Sequence, residues 1–355
     1  MQSRFLSTAI GSMPFADPAK AVQVSLERLD IPIWPQCSSQ GLLEQMEIQY
    51  SEGLPCAVID AQKGRMFFQT DEDYSEAFAT FYEAYLTAMD PDDGDGDCSS
   101  MAISEKYSKG IYELERQLQA KGTKLPYVKV QTTGPCSISL TLTDENKRAI
   151  YYQEDFRDVI TKAMAMKSRW QIQKFQPYCD KVVCFIDEPI LSAFGSSTYV
   201  SVQRDDVVNM LVECIDAVHQ DDAIAGIHCC GNTEWSILVD AGVDIVNFDA
   251  FDFGETVAMY PEHMKRHLER GGMLAWGVVP TNPIIREQTV DSLEDQLEYV
   301  MDHLAKTCGI DKDLIVNQAI LSPACGTGSI PEDDAEKVFQ LLQELTMRMK
   351  SKYGF

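Results

Sequence analysis

Residues 223–232 read Ala-Ile-Ala-Gly-Ile-His-Cys-Cys-Gly-Asn, a short apolar run of strand character that stops at His228, Cys229 and Cys230. A helical pattern at 204–219 leads into it and a shorter one at 233–241 follows. The same alternation extends in both directions. Strand-like runs lie at 127–135, 182–189, 243–251, 272–280 and 319–326, and helical stretches at 155–178, 260–270, 291–308 and 331–350. Upstream, 5–11 and 31–36 read as two further strands, separated by a helix that Asp17-Pro18 opens. Eight strands, apolar throughout and mostly followed by helices, predict a closed (β/α)8 TIM barrel spanning 1–355 as a single domain. An open doubly wound sheet is the runner-up, but no G-x-G-x-x-G follows the first strand.

Residues 54–121 interrupt the alternation between the second and third strands. They read as a hairpin turning at 62–64, then helices at 73–89 and 99–121, after a helical pattern at 42–52. The loop between those helices, DPDDGDGD (90–97), has the alternating aspartates that begin an EF-hand but not its closing glutamate, and reads as a solvated acidic loop.

A formal charge of −25 argues against a nucleic-acid or anionic-membrane surface. No apolar run approaches the roughly 20 residues of a membrane span, and the stretch 1–14 is too short in apolar residues for a secretory signal. The eleven cysteines include several within apolar strand or helix patterns, such as Cys184, Cys214 and Cys308, which predicts reduced thiols in the cytoplasm rather than a disulfide scaffold.

In a barrel of this kind chemistry collects at the C-terminal strand ends. Those ends carry Ser12, Gln36, Gln131/Thr132, Asp187/Glu188, His228/Cys230, Asp249, Pro280 and Cys325. His228 and Cys230 are two apart and project to one side of a strand, while Cys229 points away into packing. With Cys325 they form a one-nitrogen, two-sulfur set that suits Zn2+ and leaves a fourth position open. Asp249, at the end of the next strand, is a candidate fourth ligand. A zinc ion with two thiolate ligands suits holding an incoming thiol deprotonated better than it suits making hydroxide. The implied chemistry is methyl transfer to a thiol.

Six pieces, Ile10-Gly11-Ser12, Gln131 with Thr133-Gly134-Pro135, Ile186-Asp187-Glu188-Pro189, His228-x-Cys230, Asp244-Ile-Val-Asn-Phe-Asp249 and Cys325-Gly326, occur in one order along the chain. Together the chain resembles the catalytic barrel of cobalamin-independent methionine synthase. It also resembles the methylcobalamin:coenzyme M methyltransferases and, more distantly, uroporphyrinogen decarboxylase. The resemblance implies His228, Cys230 and Cys325 as zinc ligands, with Asp249 where methionine synthase has a glutamate. It implies Ile10 and Ser12 against the carboxylate end of homocysteine, Asp187 at its ammonium group, and Glu44 as a second acidic contact.

Three departures from the family shape the expectation. The chain is one barrel long. Cys136-Ser-Ile-Ser-Leu-Thr141 has no tryptophan where the family stacks a folate, and the negative charge suits a polyglutamylated folate poorly. A methylated corrinoid carried on a separate protein is therefore favoured over methyltetrahydrofolate as donor. The arginine-rich N-terminal motif of the decarboxylase is absent.

Overall fold

The computed structural model describes residues 3–89 and 96–355. Most of the acidic loop at 90–97 lies outside them. Among the described residues nine strands form two sheets: β1 (Leu6–Ser7), the hairpin β2 (Ala57–Asp60) and β3 (Arg65–Phe68), then β4 (Leu125–Thr133), β5 (Cys179–Asp187), β6 (Ile224–Cys229), β7 (Ile245–Asp249), β8 (Met273–Val279) and β9 (Ala319–Pro323). Seven of them make one parallel sheet in the order β1-β9-β8-β7-β6-β5-β4. The sheet is curled. Val183, Phe185, Ile224, Ile245, Met273, Ala275 and Ile320, from five successive strands, meet in a single apolar cluster on its inner face. The alternate residues, Cys184, Ile186, Ala225, Ile227 and Val246 among them, join the outer core. Side chains of a strand point alternately to opposite faces, so both faces of these strands are buried and the strands read as continuous apolar runs.

The expected second strand, 31–36, forms isolated bridges rather than a ladder. Ser12 pairs with Gln36 and Ile33 with Lys129, so the segment touches both edges of the sheet. Ile31 N–H donates to Ser7 O (2.9 Å), Gln36 N–H to Gly11 O (2.8 Å) and Lys129 N–H to Pro32 O (2.7 Å). Pro32 and Pro35 have no N–H, so a continuous ladder is impossible there.

Within 42–52 only Met46–Gln49 is α-helical, preceded by the single 3-10 turn Leu42–Glu44. The region 54–121 holds the expected hairpin, and helices Ser75–Met89 and Lys109–Lys121. The second of these packs beside Pro18–Arg28, and Gln117 Nε2 donates to Ala19 O (3.3 Å). It therefore lies beside the helix that follows β1, while the hairpin forms a separate two-stranded sheet. Sequence reading missed the short helices Pro135–Thr141 and Lys312–Asn317.

Strand register sets the site. Asp187 pairs with His228, His228 with Asn247, and Asn247 with Ala275, placing one row of residues side by side across β5 to β8. Ala275 belongs to the inner cluster, so the row faces the inside of the curl.

Candidate functional site

A cavity of about 300 Å³ opens at the C-terminal ends of the strands, lined by Ile10, Ser12, Gln36, Ser38, Glu44, Met46, Asp187, His228, Cys230 and Cys325 among others. His228, Cys230 and Cys325 each offer a ligand atom, and these lie within 4.8 Å of one another.

The imidazole is held from behind: its Nδ1 lies 2.6 Å from Asn247 Oδ1. Its Nε2 is buried and has no hydrogen-bond partner among the described residues. A bare buried imidazole nitrogen beside two thiols makes a one-nitrogen, two-sulfur donor set, and such a set fits zinc. Cys230, with the Cys325 thiol and His228 beside it, is held well below the ordinary thiol range, and Cys325 well above it. Cys229 is fully buried on the other side of the strand.

Cys325 reaches the cluster because its loop rests on the end of the first strand. Thr327 N–H donates to Ser12 O (2.8 Å), and a Cβ at position 326 would lie 2.0 Å from Ser12 Oγ. Glycine lets the loop pass this close without turning the Ser12 hydroxyl aside.

The walls are acidic. Asp187 is 3% exposed, and its Oδ1 has no hydrogen-bond partner among the described residues. Burial raises its pKa, with Lys129 and His228 opposing the shift. Lys129 lies wholly inside the curl, with its Nζ 4.5 Å from the Phe185 ring centroid, and burial pushes its pKa down to about 8. Glu44 is also 3% exposed, and both its oxygens lack hydrogen-bond partners among the described residues. Burial is the main cause of its raised pKa, offset in part by the nearby backbone N–H groups of Lys109 and Cys37 and by the Lys109 charge. Its turn is held over the mouth by Gln36 Nε2 donating to Gln49 Oε1 (2.9 Å) and by Thr133 Oγ1 donating to Met46 O (3.3 Å).

The neighbouring acids have other partners. Glu188 accepts from Cys136 N–H (2.9 Å), Ser137 N–H (2.7 Å) and Ser137 Oγ (2.7 Å), joining the end of β5 to the helix after β4. Burial pushes it up to about 7 against those bonds. Asp249 lies outside both the three-residue cluster and the cavity lining. Its Oδ1 accepts from the N–H groups of Phe251 and Asp252 (both 2.9 Å), closing the turn after β7, and burial raises its pKa to about 6.

Seven of the eight sequence-derived site residues thus share one cavity, and Asp249 stands apart from it. Asn247 received no role from the sequence. A polar residue in the middle of an apolar strand, Ile245–Asp249, was the available signal.

No family model matches the chain, nor does any curated protein sequence. Among solved structures, a methyltransferase from Methanosarcina mazei is similar over 97% of this chain and 94% of that chain, with a TM-score of 0.53 and 14% identity. The likeness at that identity is one of fold. A xylose isomerase-like TIM barrel/4-hydroxyphenylpyruvate dioxygenase fusion protein matches at TM-score 0.29 and 13% identity, over 68% of this chain and 42% of that one, too remote to bear on the fold. Among the described residues, no helix is long and apolar enough to cross a membrane.

Proposed function

We propose that this protein is a zinc-dependent thiol methyltransferase of the cytoplasm, built on a closed (β/α)8 barrel with the hairpin and Ser75–Met89 inserted after the second strand. The acceptor is a small aminothiol, homocysteine in first place, and the donor a methylated corrinoid on a separate protein. The carrying observation is the cluster of His228, Cys230 and Cys325 at a cavity walled by two buried, under-partnered carboxylates. Zinc bound there supplies the positive charge that keeps a substrate thiol deprotonated near neutral pH.

This chain's own residues do the rest. His228, Cys230 and Cys325 hold the metal, while Asp187 and Glu44 accept hydrogen bonds from the substrate ammonium group. Ile10 and Ser12 border its other end. The sulfur so placed forms a bond to the methyl carbon as the bond to the donor breaks, and the electron pair leaves with the donor.

The acidic walls favour an aminothiol over an anionic one. None of the cavity-lining residues is Lys or Arg, so the sulfonate of coenzyme M would meet carboxylates without a cation. The same lack disfavours a polycarboxylate porphyrinogen. The absence of tryptophan from Pro135–Thr141 supports the corrinoid over the folate.

Zinc analysis of the purified protein tests the first step. About one equivalent is expected in wild type and a marked loss in His228→Ala and Cys325→Ser; metal content unchanged by both variants would sink the proposal. Product formation with methylcobalamin and with methyltetrahydrofolate ranks the two donors. The corrinoid is expected to be the better one, and strong activity with the folate alone would reverse that ranking.

A further inference from the structure

The row that carries His228 continues into a chain of hydrogen bonds whose direction is fixed at its far end. Ser322 Oγ donates to Pro323 O (3.0 Å), a carbonyl that can only accept. With its proton committed, the hydroxyl accepts from Asn247 Nδ2 (2.9 Å). The second hydrogen on that nitrogen goes to Ala275 O (2.9 Å), another obligate acceptor. Both amide hydrogens are therefore spent on β8 and β9, and Asn247 can present only its oxygen to His228. The 2.6 Å contact from that oxygen to Nδ1 then requires Nδ1 to carry the proton. All of these groups are buried, so water does not compete for them.

We infer that Asn247 is a positioning residue that locks His228 in the Nδ1–H tautomer and so aims the Nε2 lone pair at Cys230 and Cys325. This rests on the metal-site reading above, but it describes the metal-free chain and can fail or stand separately. Histidine ligands commonly have the non-ligating nitrogen held by a carboxylate, carbonyl or water. Here a side-chain amide takes that place, and its orientation is anchored by the strand that leads to Cys325. One network thus ties the imidazole on β6 to the strand that leads to Cys325.

The test is nitrogen-15 NMR of the imidazole in metal-free protein at about pH 8, above the ordinary imidazole range. A His228→Gln spectrum assigns the signals. Wild type is expected to show Nδ1 protonated and Nε2 bare. Asn247→Leu removes the acceptor and is expected to populate the Nε2–H tautomer and weaken zinc binding, measured by chelator competition, by about 10- to 100-fold. Asn247→Asp keeps an acceptor for Nδ1–H and is expected to restore the tautomer and most of the affinity. An Nε2–H tautomer in wild type would overturn the inference, as would a tautomer unchanged in a folded Asn247→Leu. If the leucine variant does not fold, the wild-type and aspartate spectra still decide. A wild-type Nδ1–H tautomer in a protein that binds no zinc would leave this inference standing and remove the proposed function.

Discussion

Asp187 and Glu44 have been taken out of water without a full set of partners inside the protein. Burying a carboxylate this way costs free energy that a bound cation recovers, so the two acids are the cavity's clearest statement about what enters it. Asp187→Asn and Glu44→Gln should each raise KM for an amine-bearing thiol. A lost charge-assisted hydrogen bond is worth about 1.5–3 kcal/mol, or roughly 10- to 150-fold. Zinc content should stay at the wild-type level, and a thiol lacking the amine should lose far less. Equal losses for both thiols would show that the acids shape the cavity rather than bind the ammonium group. The sequence offered these acids unevenly. Asp187 was legible because it ends a plain strand. Glu44 sits in a 3-10 turn that periodicity does not report, and only the resemblance singled it out.

At the scale of elements, the site depends on how strand ends are held against one another. The loop after β9 delivers Cys325 by lying on Ser12, and Gly326 makes that contact possible. Gly326→Ala should drive its new methyl into Ser12 Oγ, cost about 1–3 kcal/mol of stability, and lower zinc occupancy by displacing Cys325. Adding Ser12→Gly removes the obstructing atoms, so the double variant should regain occupancy that the single variant lost; a double variant no better than the single would refute this steric account. Strand order and strand ends were readable in the sequence because doubly buried strands are bounded apolar runs. The segment 31–36 was readable as extended chain but not as a pair of isolated bridges, because its prolines remove donors without altering its apolar character. Asn247 was not readable as the residue that holds His228, since its partners lie on β6, β8 and β9, far away in sequence.

Across the whole molecule, the long helix Glu154–Phe175 joins the stretch from Glu52 to Met101 to the sheet through buried charged side chains. Arg169 pairs with Asp221 (2.9 Å) and donates to Ala88 O (2.8 Å), while Lys167 Nζ donates to Glu52 O (2.6 Å) and Met101 O (3.2 Å). Lys167 is completely buried, and desolvation pushes its pKa down to about 7, with Glu52 opposing the shift. As a neutral amine it still has hydrogens for both carbonyls. Between about pH 7 and the ordinary lysine value of 10.5 the unfolded chain holds a proton that the folded chain has released. Raising the pH through that window therefore favours the folded state, and the gain is lost as pH falls back towards 7. Lys167→Met fills the space without titrating but leaves the two carbonyls without a donor. The stability advantage of wild type over Lys167→Met should be smallest and level below pH 7, then grow steadily to pH 9.5. Paired denaturant unfolding curves across that range measure it. An advantage independent of pH would mean that Lys167 stays charged in the folded protein and that its contacts, not its titration, hold Glu52 and Met101 against the helix.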